Sequence, residues 1–220
     1  MGFSRKICNF ASDMKNVLYI HGMGGGSDSR IPSILSEYIN VATRTYSFDP
    51  DVAAEQISSW VDELKPVLVI GESLGALHAL RVRGIPHIFV SPALNAPLYL
   101  TPLAWLTLIP GVTYVFDRIY RPREGDRQPL HFIFRTLRKY RRHRKEALKG
   151  LPDDSGNDIF FAFFGQHDHY RRSGIVSVRT WRRYFGNDSC RIYDGTHFME
   201  EDFVRTMLVD KIMDVLSELK

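Results

Sequence analysis

Short runs of consecutive apolar residues alternate along the chain with longer stretches whose apolar positions recur at helical spacing. Asn16 to Ile20, Val67 to Ile70, Ile88 to Val90, Ile159 to Phe164 and Cys190 to Tyr193 are the length of strands and too short for helices. Ala42 to Ser47 alternates in the manner of an edge strand. Between these runs, Ile31, Ile34, Leu35 and Tyr38 predict a helix beginning near Ser29. A second helix carries Ile57, Trp60, Val61 and Leu64 on one face, with Asp51 as its N-cap and Pro66 as its stop. Further helices are expected over Leu74 to Arg81, over Ile175 to Tyr184, and from Phe203 through Met207, Ile212 and Val215. Strands that are apolar on both faces, separated by helices, predict a parallel sheet covered on each side. Residues 93–157 break the alternation.

Composition narrows this picture. A chain of 220 residues with 44% hydrophobic and 25% charged residues suits one packed domain, expected over residues 14–220. Residues 1–13 read as a flexible extension. They carry no secretory pattern, since Asn9, Ser12 and Asp13 interrupt the apolar stretch, and Lys6 stands where a myristoylation motif needs Ser or Thr. Two cysteines, Cys8 and Cys190, make no disulfide framework, and a cytoplasmic setting is expected. Ile85 to Phe116 contains no Asp, Glu, Lys or Arg, but Pro92, Pro97, Pro102, Pro110 and Gly111 punctuate it, which argues against a transmembrane span. Charge is localised. Between Asp117 and Lys149 twelve Lys or Arg face four Asp or Glu, a balance of +8 in a chain of net +4. The remainder therefore carries −4, and the basic character belongs to one segment.

Chemistry-bearing residues stand where strands end. Ile70 is followed by Gly71-Glu72-Ser73-Leu74-Gly75 and then a helix-forming stretch. Strand, sharp turn with glycine on both sides of a serine, then helix is the context that gives Gly-x-Ser-x-Gly its meaning. The first strand ends in His21-Gly22, the fifth in Gly165-Gln166-His167-Asp168, and the last in Asp194-Gly195-Thr196-His197. In parallel sheets, active residues collect beyond the C-terminal ends of strands. A serine needs an imidazole to take its proton, and the imidazole needs a carboxylate to hold its tautomer.

With Ser73, Asp168 and His197 in that order, the chain resembles a small α/β-hydrolase of the esterase or thioesterase type, from Met14 to Lys220. The resemblance implies a three-layer α/β/α sandwich with about six parallel strands, ordered second, first, third, fourth, fifth, sixth. It also implies a helical cap at residues 93–157. Ser73 would be the nucleophile, His197 the base, Asp168 the orienting acid, and the Met23 and Leu74 N–H groups the oxyanion donors. Asp194 is the competing acid, with Asp153, Asp154 and Asp158 nearby in sequence. His78, five residues along a helix from Ser73, faces away from it. His87, His131 and His143 are expected to be solvated or packed. His21, Gly22, Glu72, Leu98 and Trp105 are candidate pocket residues. Ser27 stands where a dinucleotide loop needs its third glycine, which argues against nucleotide binding. Metal binding by His167, Asp168 and His169 lacks a ligand-spacing signature, so no metal and no cofactor are expected.

The basic cap has an apolar first half, suited to an acyl pocket, and an arginine-rich helix carrying Ile133, Phe134, Leu137 and Tyr140. A solvated charged face is the plain reading of that helix. Residues 117–149 could otherwise meet an acidic carrier or an anionic membrane surface, and no nucleic-acid motif is present. The activity expected is cleavage of an ester or thioester through an acyl-enzyme. A non-catalytic protein binding an acidic partner, or an amide or carbon–carbon hydrolase, are the competing readings.

Overall fold

The computed structural model describes residues 15–122, 124–151 and 159–219. The expected extension at 1–13, Cys8 and the three carboxylates Asp153, Asp154 and Asp158 lie outside them. Six strands form one sheet: β1 (Val17–Ile20), β2 (Val41–Thr43), β3 (Leu68–Glu72), β4 (His87–Val90), β5 (Phe160–Gly165) and β6 (Cys190–Tyr193). Their order is β2-β1-β3-β4-β5-β6 and every pairing is parallel. This is the predicted order.

Successive side chains of each strand enter different cores. Leu18, Ile20, Val69, Phe89 and Phe164 face one side, where α2 (Pro50–Leu64), α3 (Gly75–Ala79) and Trp181 of α8 (Val178–Phe185) cover them. Val17, Tyr19, Ile70, Val90 and Phe163 face the other. There they meet Ile31 and Leu35 of α1 (Arg30–Leu35) and Ile212 and Val215 of α10 (Val209–Glu218). A short helix α9 (Glu201–Phe203) and a wider π turn (Val204–Leu208) lead into α10. Because both faces are buried, the central strands are continuously apolar, and that is why the sequence pattern found them.

Three boundaries differ from expectation. The second strand ends at Thr43, because Tyr46 and Ser47 turn inward instead of continuing the ladder: Tyr46 Oη donates to His21 O and Ser47 N donates to Gln56 Oε1. Asp49, rather than Asp51, caps α2, accepting the Asp51 N–H at 3.0 Å with Pro50 at the first helical position. The stretch 175–184 is not one helix. A short α7 (His169–Ser173) ends at Gly174 in left-handed geometry, and α8 starts afresh at Ser177, whose Oγ accepts the Thr180 N–H at 3.1 Å.

The insertion between β4 and β5 contains α4 (Ala96–Leu106), α5 (Val112–Ile119) and α6 (Phe134–Ala147). α6 lies against α4, α2 and α3. Part of its charge is spent on the body of the protein, where Lys139 reaches Asp49 at 2.6 Å and Arg142 reaches Asp51 at 2.6 Å, and Arg144 donates to Leu94 O at 2.6 Å within the insertion itself. Among the described residues, no helix is long and apolar enough to cross a membrane.

Candidate active site

The turn after β3 holds Ser73 at φ +49°, a left-handed conformation that a serine adopts only where its surroundings impose it. Those surroundings are visible. Ser73 N donates to Val90 O at 2.9 Å and Ser73 O accepts the Ala93 N–H at 2.9 Å, so the strand beside it grips the turn on both sides. Gly75 allows the turn to close. A Cβ there would lie 2.2 Å from His21 O and 2.5 Å from Ile20 O, both backbone atoms that cannot step aside.

Three sequence-distant side chains converge on this turn. His197 Nε2 stands 2.9 Å from Ser73 Oγ, and His197 Nδ1 stands 2.8 Å from Asp168 Oδ2. In the tautomer that satisfies both contacts, Nδ1–H donates to the carboxylate and Nε2 accepts from the hydroxyl. Asp168 is buried and also accepts the Tyr170 N–H through Oδ1 at 2.8 Å, which fixes its rotamer at the start of α7. Tyr170 and Phe198 pack edge-on to the imidazole, at 4.7 and 5.1 Å between centroids. Asp194, the competing carboxylate, turns outward and contacts the exposed His167 at 2.7 Å. Such a row of groups can move the serine proton onto the imidazole while the buried carboxylate balances the cation.

The loop after β1 faces the same cleft. The Gly22 carbonyl accepts from His21 Nδ1–H at 2.7 Å and from Gly25 N–H at 3.0 Å. A trans peptide points its N–H opposite its C=O, so pinning this carbonyl aims the Met23 N–H out of the turn. Among the described residues, neither Met23 N–H nor Leu74 N–H has a protein acceptor. His21 itself is buried behind the loop, stacked on Tyr46 at 4.3 Å, and burial lowers its pKa.

A segment of the β4–β5 insertion clamps this loop from the outside. Gln128 N donates to Gly25 O at 2.7 Å, its Oε1 accepts the Gly24 N–H at 3.1 Å, and its Nε2 donates to Tyr46 O at 3.1 Å. Gly26 pairs antiparallel with Arg127. Gln128 is buried, and no sequence pattern marks it, since one polar residue in a polar loop has no periodicity.

The cleft between these parts has a volume of about 560 Å³. Met23, Ser73, Leu74 and His197 border it together with an apolar wall that includes Ala96, Leu100 and Ile175. Gly22 and Glu72 border it, and Glu72 accepts from Tyr19 Oη at 2.6 Å, a buried phenol whose pKa is raised by burial and by that carboxylate. His21, Leu98 and Trp105 do not border it. α4 turns Ala96, Tyr99 and Leu100 to the cleft, which leaves Leu98 and Trp105 on its outer side. His78 faces away from Ser73 and packs against His143 of α6 at 4.4 Å, His87 is buried, and His131 is exposed. Among the described residues no group of three potential ligands is placed to hold a metal ion.

Comparison with solved structures places this architecture. A lipolytic enzyme of the metagenome-derived LipS and LipT pair superposes with TM-score 0.60 at 13% identity, over 93% of this chain and 94% of the other. The chain has the α/β-hydrolase fold. Est1E from Butyrivibrio proteoclasticus is similar over 95% of this chain and 91% of its own, at 17% identity and TM-score 0.59. The bottromycin epimerase BotH is matched as well, at 12% identity and TM-score 0.58, over 93% of this chain and 91% of that one. No family model and no curated protein matches the sequence. Since this fold serves both lipolytic enzymes and an epimerase, function has to be argued from the residues in the cleft.

Proposed function

We propose that the protein is a serine hydrolase that cleaves a carboxylic ester or thioester. The observation that carries this reading is the unbroken contact from Asp168 through His197 to Ser73, at 2.8 and 2.9 Å, with Ser73 held in strained geometry at the mouth of a cleft. Ser73 Oγ attacks the acyl carbon while His197 Nε2 takes its proton, and Asp168 holds the imidazole and balances its charge. The Met23 and Leu74 N–H groups receive the oxyanion, whose stabilisation by one such donor is worth on the order of 3 kcal/mol. His197 then protonates the leaving group, and water, activated by the same imidazole, releases the acyl group from Ser73. No cofactor enters these steps. The apolar wall at Ala96, Leu100 and Ile175 suits the acyl part of a small-molecule substrate, and the lipolytic and esterase neighbours support the same bond class. A cytoplasmic setting is consistent with the low cysteine count.

Labelling with a fluorophosphonate tests the reading. The wild-type chain should become covalently modified and Ser73→Ala should not, with Ser91→Ala as a labelled control. Absence of Ser73-dependent labelling would favour a protein that binds through this fold without catalysis.

A further inference from the structure

The outer side of the cap carries a combination the cleft chemistry does not use. The α4–α5 segment presents Trp105, Leu106, Leu108, Ile109, Val115 and Ile119, each more than half exposed. α5 has no buried residue at all. Large apolar side chains gathered at one tip are unlike the single exposures scattered over ordinary protein surfaces.

Cations flank this tip on both sides. Trp105 shares a groove with Arg138, Arg141 and Lys145 of α6, which at i, i+3 and i+7 form one exposed stripe. None of the three has a carboxylate partner among the described residues, in contrast to Lys139 and Arg142, which bind the body of the protein. On the other side, Tyr114 shares a second groove with Arg118, Arg121 and Arg127 and one carboxylate, Asp117, while Arg127 also contacts Asp28 at 3.4 Å. No acidic residue occurs from Ile85 to Phe116. α4 has only 11 residues and a proline inside it, so the apolar surface cannot span a bilayer and can only lie upon one.

We propose that the α4–α5 segment inserts into the surface of an anionic phospholipid bilayer while the basic grooves beside it engage lipid headgroup phosphates. Exposed aliphatic residues with tryptophan, tyrosine, arginine and lysine beside them are the residue types that a bilayer interface takes. A second copy of the chain fits less well, because a symmetric contact through this tip brings like-charged arginine grooves together. The docked face adjoins the cleft: Arg127 borders both the second groove and the cleft, and Tyr99 of α4 stands at the cleft wall. A substrate leaving the bilayer therefore has a short path to Ser73. The docking itself does not depend on Ser73 chemistry.

Flotation of the full chain with phosphatidylcholine vesicles, with and without phosphatidylserine, reads this out. The protein should float with the anionic vesicles only, salt should release it, and emission from Trp105 should shift to the blue. The double variant Leu108→Glu/Ile109→Glu should abolish flotation without lowering the melting temperature. Arg138→Gln/Arg141→Gln should weaken partitioning about 25-fold, at roughly five-fold per basic residue lost, and Arg183→Glu on α8 should change nothing. Ser73→Ala should float like the wild type, which separates this result from the fate of the hydrolase reading. Three outcomes overturn the proposal: no flotation with anionic vesicles, flotation undiminished in the Leu108/Ile109 variant, or a dimer in sedimentation that this variant turns into a monomer.

Discussion

Replacing Gln128 by Met tests whether the β4–β5 insertion holds the proposed oxyanion loop in place. Methionine keeps the length and most of the volume of glutamine but removes both side-chain hydrogen bonds, to Gly24 N–H and Tyr46 O, each 3.1 Å long. Two backbone groups are then left without partners. A buried group left unpaired costs about 1–3 kcal/mol. The Tyr46 carbonyl contact is fully buried and the Gly24 contact only partly so, which places the sum near 3 kcal/mol, toward the lower end of the combined range. For a chain of this size that lowers the melting temperature by about 6–12 °C. The kinetic consequence is separable from the thermal one. Gly24 follows Met23 directly, so freeing its N–H loosens the peptide that presents the Met23 donor. Turnover of a short-chain nitrophenyl ester, measured well below the melting transition, should fall about 10- to 100-fold in kcat, short of the 10²–10³ lost with a whole oxyanion donor. KM should stay within about two-fold, because the donor acts on the transition state more than on the bound ester. An unchanged kcat in a variant that melts early would refute the coupling, and would mean that His21 and the Gly22 turn hold the donor unaided. A rise confined to KM would refute it as well.

Asp168→Asn should lower kcat by about 10⁴, the loss expected when the orienting carboxylate of such a site becomes an amide, while Asp194→Asn stays near wild type; the reverse result would transfer the role to Asp194. Acid should destabilise the fold through its buried imidazoles. Burial pushes His87 and His143 down from 6.5 to about 4, so between those values the unfolded chain binds protons that the native chain refuses. This contribution is intact above about pH 6.5 and is lost toward pH 4, at about 1.4 kcal/mol per pH unit for each histidine. His87→Phe, filling the space between Phe89 and Phe160, should reduce the slope of unfolding free energy against pH by one histidine's share, and an unaltered slope in denaturant titrations would count against this account.

What could be read from the chain and what could not divide along a physical line. A strand buried on both faces must be apolar at every position, so the buried central strands, from Val17–Ile20 to Phe160–Gly165, announced themselves as uninterrupted runs. Their ends are equally legible, because a parallel sheet delivers its strands to one rim, where His21, Ser73, Asp168 and His197 then lie close together. Local competition is less legible. Asp49 and Asp51 are both able to cap a helix, and what favours Asp49 is Pro50, which has no N–H to leave unsatisfied at the first helical position. The cap interior is less legible still, since which side of α4 meets the cleft depends on how α6 lies against it. Gln128 marks the limit. Its partners are 104 and 82 residues away, and its value comes from two carbonyls and an amide that every peptide carries. A contact made by backbone groups at long range leaves no trace in residue type or spacing, although the same contact fixes the loop whose Met23 N–H the proposed chemistry needs. The groups proposed to react could therefore be named from the sequence, while the groups that hold them still had to be found in the structure.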